Sequence, residues 1–189
     1  MRKFLLALVA VLAIPVFAHA EPTDGSPPAK KGMLGADGAI VLPLGDWSDL
    51  AGLGLGATLH YEHPFDQNWS FTGRVGYIHH LSKETGPYSY TTSEIPFMVG
   101  AKYHLGAAAP GLYFAGELGL TIFRFDLEYD GPENPFVDEV DHSDSETDLG
   151  MTLGAGYSMG NFDLAARLYA PDFDVAGLMA TVGYHFTSL

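Results

Sequence analysis

Three groups of residues in this 189-residue chain could do chemistry. The first is a scattered set of charges, Glu62, Arg74, Glu94, Lys102, Glu117, Asp163 and Arg167, accompanied by His60, His104 and His185. Carboxylates and cations mixed in this way can pair as a buried salt-bridge network, or line a narrow path for small ions. The second group is the run of ten acids between residues 126 and 148: Asp126, Glu128, Asp130, Glu133, Asp138, Glu139, Asp141, Asp144, Glu146 and Asp148. Clustered carboxylates suit Ca²⁺ or Mg²⁺, which take oxygen ligands. Asp138, Asp141 and Asp144 are the candidate ligands, but their spacing is not that of an EF-hand loop, and a solvated acidic loop is the plainer reading. The third group is His79-His80, with His142, which could bind zinc, and Ser82 and Ser89, which with His80 could make a nucleophile and its base. Neighbouring residues of a strand point to opposite faces, which weakens the histidine pair. Gly-x-Ser-x-Gly, glycine-rich phosphate loops and His-Glu-x-x-His are absent, so no catalytic residue is assigned. No metal site is assigned either, and no cofactor is expected.

The elements that must carry these residues show themselves by a period of two. In the last stretch, 176–186, Leu178, Ala180, Val182, Tyr184 and Phe186 alternate with Gly177, Met179, Thr181, Gly183 and His185. One face is apolar and the other small or polar, the mark of a half-buried strand. The same alternation recurs in seven earlier segments, approximately at 33–42, 51–63, 69–81, 93–105, 112–129, 145–159 and 162–170. Residues 43–49 are read as a break after the first strand, and 82–92 as a loop. The fifth strand breaks the rule at its far end, where Arg124 takes the apolar parity and Phe123 and Phe125 the polar one. That end is expected to project beyond the layer holding the rest. Gly160-Asn161 is a tight hairpin signal. No segment carries a helical stripe, so the chain reads as all-β.

Residues 1–20 read as a signal peptide: Arg2 and Lys3, an apolar run from Phe4 to Phe17, and Ala18-His19-Ala20 as a small-x-small cleavage site near Ala20. Residues 21–32 are a flexible lead, and the folded unit spans 33–189. The net charge is −14, more negative still without the leader, which argues against nucleic acid. The chain has no cysteine, so an exported fold of this size does without disulfides. No later run of 18 apolar residues exists, so no transmembrane helix is expected.

Eight sequential antiparallel strands close either as a soluble lipocalin-like barrel, apolar inside, or as a membrane barrel, apolar outside. The mid-strand charges listed first nearly all share the non-apolar parity, while the other face is almost free of charge. Connections after strands 2, 4 and 6 are short, and those after strands 3 and 5 long, as in membrane barrels. Aromatics of the apolar face, Tyr61, Trp69, Phe71, Tyr103, Phe114, Phe162, Tyr184 and Phe186, gather at the short-turn end and would form one interfacial girdle. These features favour an eight-stranded antiparallel up-and-down transmembrane β-barrel.

Strand count, loop alternation and the terminal Val182-Gly-Tyr-His-Phe186 resemble the eight-stranded outer-membrane β-barrel family of Gram-negative bacteria, the OmpA/OmpX-like group. The resemblance covers nearly all of residues 33–186, although members usually end on the aromatic whereas Thr187-Ser-Leu189 follow here. It implies an outer-membrane location and termini in the periplasm. It also implies that barrel-insertion machinery reads the C-terminal strand, and that lipid and lipopolysaccharide surround a monomer. The expected role is structural or surface-interacting, with the loops at 43–50, 82–92 and 130–144 displayed and the acidic loop free to bridge lipopolysaccharide through divalent cations. A small-solute or ion channel and a lipid-modifying enzyme are the alternatives.

Overall fold

A computed structural model describes residues 31–85, 88–106, 111–129 and 142–188. The expected leader, residues 21–30 of the lead, and the acidic stretch at 130–141 with Asp138 and Asp141 lie outside the described residues. The elements run β1 (Met33–Leu44), α1 (Trp47–Leu50), β2 (Gly54–Pro64), β3 (Trp69–His80), β4 (Lys83–Thr85), β5 (Tyr88–His104), β6 (Gly111–Tyr129), β7 (His142–Met159), β8 (Phe162–Asp172) and β9 (Val175–Ser188). Each long strand pairs antiparallel with its neighbour in the chain, and β1 pairs with β9 along its whole length. β3 pairs directly with β5, so eight strands close on themselves and the three-residue β4 only decorates one edge of β5. Closure leaves no open sheet edge along the barrel wall, which is what lets a sheet stand in lipid.

The barrel is inside-out relative to a soluble protein. Ile40, Leu55, Leu59, Phe97, Leu118, Leu153 and Val182 point outward and are half exposed, whereas Asp37, Glu62, Glu94, Lys102, Glu117, Asp163 and Arg167 are buried inside. Strict alternation produces both sets at once, because consecutive side chains take opposite faces of the wall.

The structure corrects several boundaries. β1 continues through Pro43 to Leu44 instead of breaking at 43. Its pairing with β2 ends at Val41 while pairing with β9 continues to Leu44, and a strand bonded on one side tolerates a proline. The break at 43–49 contains the short helix α1, and the loop expected at 82–92 is partly a hairpin of β4 with the start of β5. β6 and β7 remain paired as far out as Leu127↔His142, while pairing of β7 with β8 stops at Met151↔Ala170. The β6–β7 hairpin therefore projects beyond β8, but β5 accompanies β6 on the other side as far as Tyr88↔Tyr129. Alternation persists there: Phe123 faces in, Arg124 is exposed, and Phe123 stacks on Phe125 with ring centroids 5.8 Å apart.

Candidate functional site: the charged lumen

The lumen side chains form three layers. At the short-turn end, Lys102 of β5 reaches across to Glu62 of β2 (2.8 Å) and Asp163 of β8 (3.0 Å). His104 Nε2 lies 3.1 Å from the other oxygen of Glu62, Ser158 donates to Asp163 at 2.8 Å, and the Tyr113 hydroxyl also donates to Asp163. The Lys102 ammonium stands 3.9 Å above the Tyr113 ring, a cation–π contact that strengthens away from water.

The middle layer is built on two arginines. Arg74 of β3 bridges Asp37 of β1 and Glu117 of β6 (3.3 Å), and Arg167 of β8 meets the same Glu117 oxygen at 2.9 Å. Thr58 donates to Asp37 and Thr152 to Glu117, while His60 Nδ1 lies 3.0 Å from Asp37. Isolated, each of these buried charges would cost several kcal/mol; shared partners offset that cost. All seven charges read from the sequence point into the lumen and join such contacts.

At the long-loop end the lumen turns apolar. Val41, Trp47, Ala51, Ile78, Met98, Tyr169 and Met179 pack into one buried cluster. Within it Tyr169 donates to Glu94 at 2.6 Å, and His80 Nε2 lies 2.8 Å from the same carboxylate. Trp47 of α1 enters this mouth from the loop, its ring 5.2 Å from that of His80 and 6.4 Å from that of Tyr169. The lumen is thus stoppered at this end.

The opposite mouth is open. A cavity of about 380 Å³ is lined there by Lys31, Glu62, Ser70, His104, Ser158 and His185, among others. His185 is only 7% exposed. Its ring meets His60 edge-on at 4.7 Å, and neither of its nitrogens has a hydrogen-bond partner in the protein. Its lining mixes ionisable and hydroxyl side chains with apolar surface from residues such as Met33 and Pro64.

The other sequence candidates are not brought together. His79 and His80 diverge, His79 onto the outer face with Ser93 and His80 into the lumen with Glu94. Ser82 and Ser89 do not meet His80. Ser93, which sequence reasoning passed over, lies 3.1 Å from His79 Nδ1 and takes the Tyr77 hydroxyl at 3.0 Å. It is 6% exposed, and among the described residues no carboxylate orients His79, so the nucleophile–base–orienter arrangement is incomplete. Asp144 is bonded to the Ser145 amide, and no group of three metal-ligating side chains occurs among the described residues. The eight girdle aromatics lie on the outer face of the short-turn end, where Trp69 packs on Tyr103 (4.8 Å) and Phe162 on Tyr184 (5.1 Å).

Sequence reasoning also missed Asp37 as a network member, together with Tyr113, Tyr169 and Trp47. The first three share the inward parity, which was the available signal; Trp47, in a loop, offered none.

A family model described as outer membrane protein beta-barrel domain matches residues 4–186. Among solved structures, the attachment invasion locus protein Ail of Yersinia pestis is similar at 17% identity and a TM-score of 0.59, over 83% of this chain and 99% of that one. Ail has also been crystallised in complex with the heparin analogue sucrose octasulfate. Neisserial surface protein A is similar at 16% identity and a TM-score of 0.50, over 82% of this chain and 97% of that one. No curated relative matches the chain.

Proposed function

The chain belongs to the outer membrane protein beta-barrel family, and on that premise we propose that it serves the outer membrane as a structural barrel displaying an acidic outer surface. The observation that carries this reading is the filled lumen: interlocked ion pairs below and an apolar stopper above. That arrangement favours a scaffold over a channel. The incomplete Ser93–His79 arrangement likewise favours a non-enzymatic role. Lipid and lipopolysaccharide are the proposed surroundings of a monomer. Divalent cations would bridge the acidic loops to lipid phosphates, and assembly would proceed through the barrel-insertion machinery after cleavage near Ala20.

The outer surface argues against a sulfated polyanion as ligand, even though Ail binds such an analogue. This chain carries 23 acidic against nine basic residues, with Asp126, Asp144, Glu146, Asp172 and Asp174 at its long-loop end, and like charge repels. The test compares a deletion strain with its parent. The expected result is greater sensitivity to detergent and chelator with an unchanged lipid A mass spectrum, and no unitary conductance from the reconstituted protein at neutral pH. An intact envelope barrier together with steady conductance would replace this reading with the channel, and a lipid A mass change with the enzyme.

A further inference from the structure

We propose that the long-loop mouth is closed by a proton-latched stopper, in which a His80–Glu94 pair sharing one extra proton holds Trp47 inside the lumen. The geometry of His80 carries the argument. Its Nδ1 lies 2.9 Å from the Gly52 carbonyl and its Nε2 lies 2.8 Å from Glu94 Oε1, so both nitrogens face acceptors. A neutral imidazole has a single N–H. Whichever nitrogen carried it, the other would stand unprotonated within 2.9 Å of an acceptor oxygen. The pair therefore holds one proton more than neutral histidine and a free carboxylate would supply. The Nε2–Oε1 approach is close but poorly aligned for a hydrogen bond, so charge holds it together more than direction does.

The surroundings make that proton decisive. His80 and Glu94 are both 0% exposed and touch the buried apolar cluster through Trp47 and Tyr169, which pack there with Val41, Ile78, Met98 and Met179. A carboxylate left without a cation here would bear its full desolvation cost. The groups facing the pair are few. β5 supplies Glu94 and β8 supplies Tyr169, whose hydroxyl donates to Glu94 Oε2. β2 supplies the side-chain-free Gly54 beside the His80 ring, α1 the Trp47 ring, and β6 the buried Thr121 hydroxyl, while Val41 of β1 and Met179 of β9 belong to the apolar cluster that holds Tyr169 and Trp47. The nearby cation Lys83 of β4 is engaged by the Ser48 carbonyl. Among the described residues, nothing else can take over the charge of Glu94.

The same pair is tied to the stopper twice. Trp47 packs on the His80 ring, and the Gly52 carbonyl that receives Nδ1–H lies just beyond the end of α1. Removing the proton turns one of these contacts repulsive, and the relief is movement of the imidazole or entry of water. Either frees the segment that carries Trp47. Five lumen carboxylates, Asp37, Glu62, Glu94, Glu117 and Asp163, face three permanent cations, Arg74, Lys102 and Arg167, so no spare permanent cation stands inside to balance Glu94.

The experiment uses the full chain refolded in zwitterionic micelles with Trp69→Phe, which leaves Trp47 as the sole tryptophan. Acrylamide quenching is followed from about pH 6 to about pH 9, a span enclosing the ordinary imidazole value of about 6.5, with unboiled gels reporting the folded barrel at each point. Trp47 is expected to be shielded at the acid end and quenched several-fold more strongly at the alkaline end, with the folded band unchanged. Glu94→Gln supplies an amide N–H to neutral His80, and is expected to keep Trp47 shielded throughout. A flat quenching profile overturns the proposal. So does exposure that appears only with loss of the folded band, or a transition that persists unchanged in Glu94→Gln.

Discussion

Lys102 shows at the scale of one residue how the lumen converts sequence into stability. Its ammonium is the cation shared by Glu62 and Asp163, carboxylates that lie 40 and 61 positions away in the chain. Lys102→Ala leaves both buried without it, and removal of one partner of a buried pair costs about 3–5 kcal/mol. Urea unfolding of the micelle-refolded barrel is expected to show a loss of that order. Lys102→Met, which keeps the stem over Tyr113 but not the charge, should recover little of it. The triple variant Lys102→Met, Glu62→Gln, Asp163→Asn should recover most, because replacing a whole buried ionic set by neutral groups is often close to neutral in energy. A Lys102→Ala barrel as stable as the parent would mean that the two carboxylates are already neutralised by other groups or by water.

Turns and short segments decide where the strands stop, and this was less legible than what they face. Inward and outward parity followed from alternation alone, so the lumen charges could be assembled without coordinates. Which of them touch depends on the stagger of strands across the barrel, which no local pattern encodes. Pro43 and Trp47 mark the limit from the other side: proline punctuation suggested a strand end, but one-sided pairing accommodates it, and a four-residue helix too short for a periodic stripe carries the residue that closes the lumen. The 160–161 turn was readable because its chemistry is local. Gly160 adopts φ +60°, and the following Asn161 carbonyl receives the His185 amide at 2.7 Å, tying the β7–β8 turn to β9. An L side chain in that region costs roughly 1–2 kcal/mol. Gly160→Val is therefore expected to lower the urea midpoint by about that free energy and to slow appearance of the folded band. An unchanged midpoint would show that the turn relaxes without strain.

For the molecule as a whole, the three layers make the lumen asymmetric: polar and open at the short-turn mouth, dry and stoppered at the other. Access should follow the same asymmetry, and the absence of native cysteine allows it to be read with single thiols. Met33 lines the open cavity, whereas Met98 is buried in the stopper cluster. Both are unbranched, and cysteine replaces methionine without adding bulk. In micelles at neutral pH, Met33→Cys is expected to react with a small charged methanethiosulfonate within the time that denatured protein does. Met98→Cys should resist the same reagent until the barrel is unfolded, because reaction needs both solvent access and a thiolate, and an apolar shell disfavours each. In vesicles, labelling of Met33→Cys should come only from the face on which the short turns lie, which reports insertion direction in the same measurement. If Met98→Cys were labelled as fast as Met33→Cys, water would be passing the stopper, and the lumen would have to be redrawn as a continuous path lined by its ion pairs.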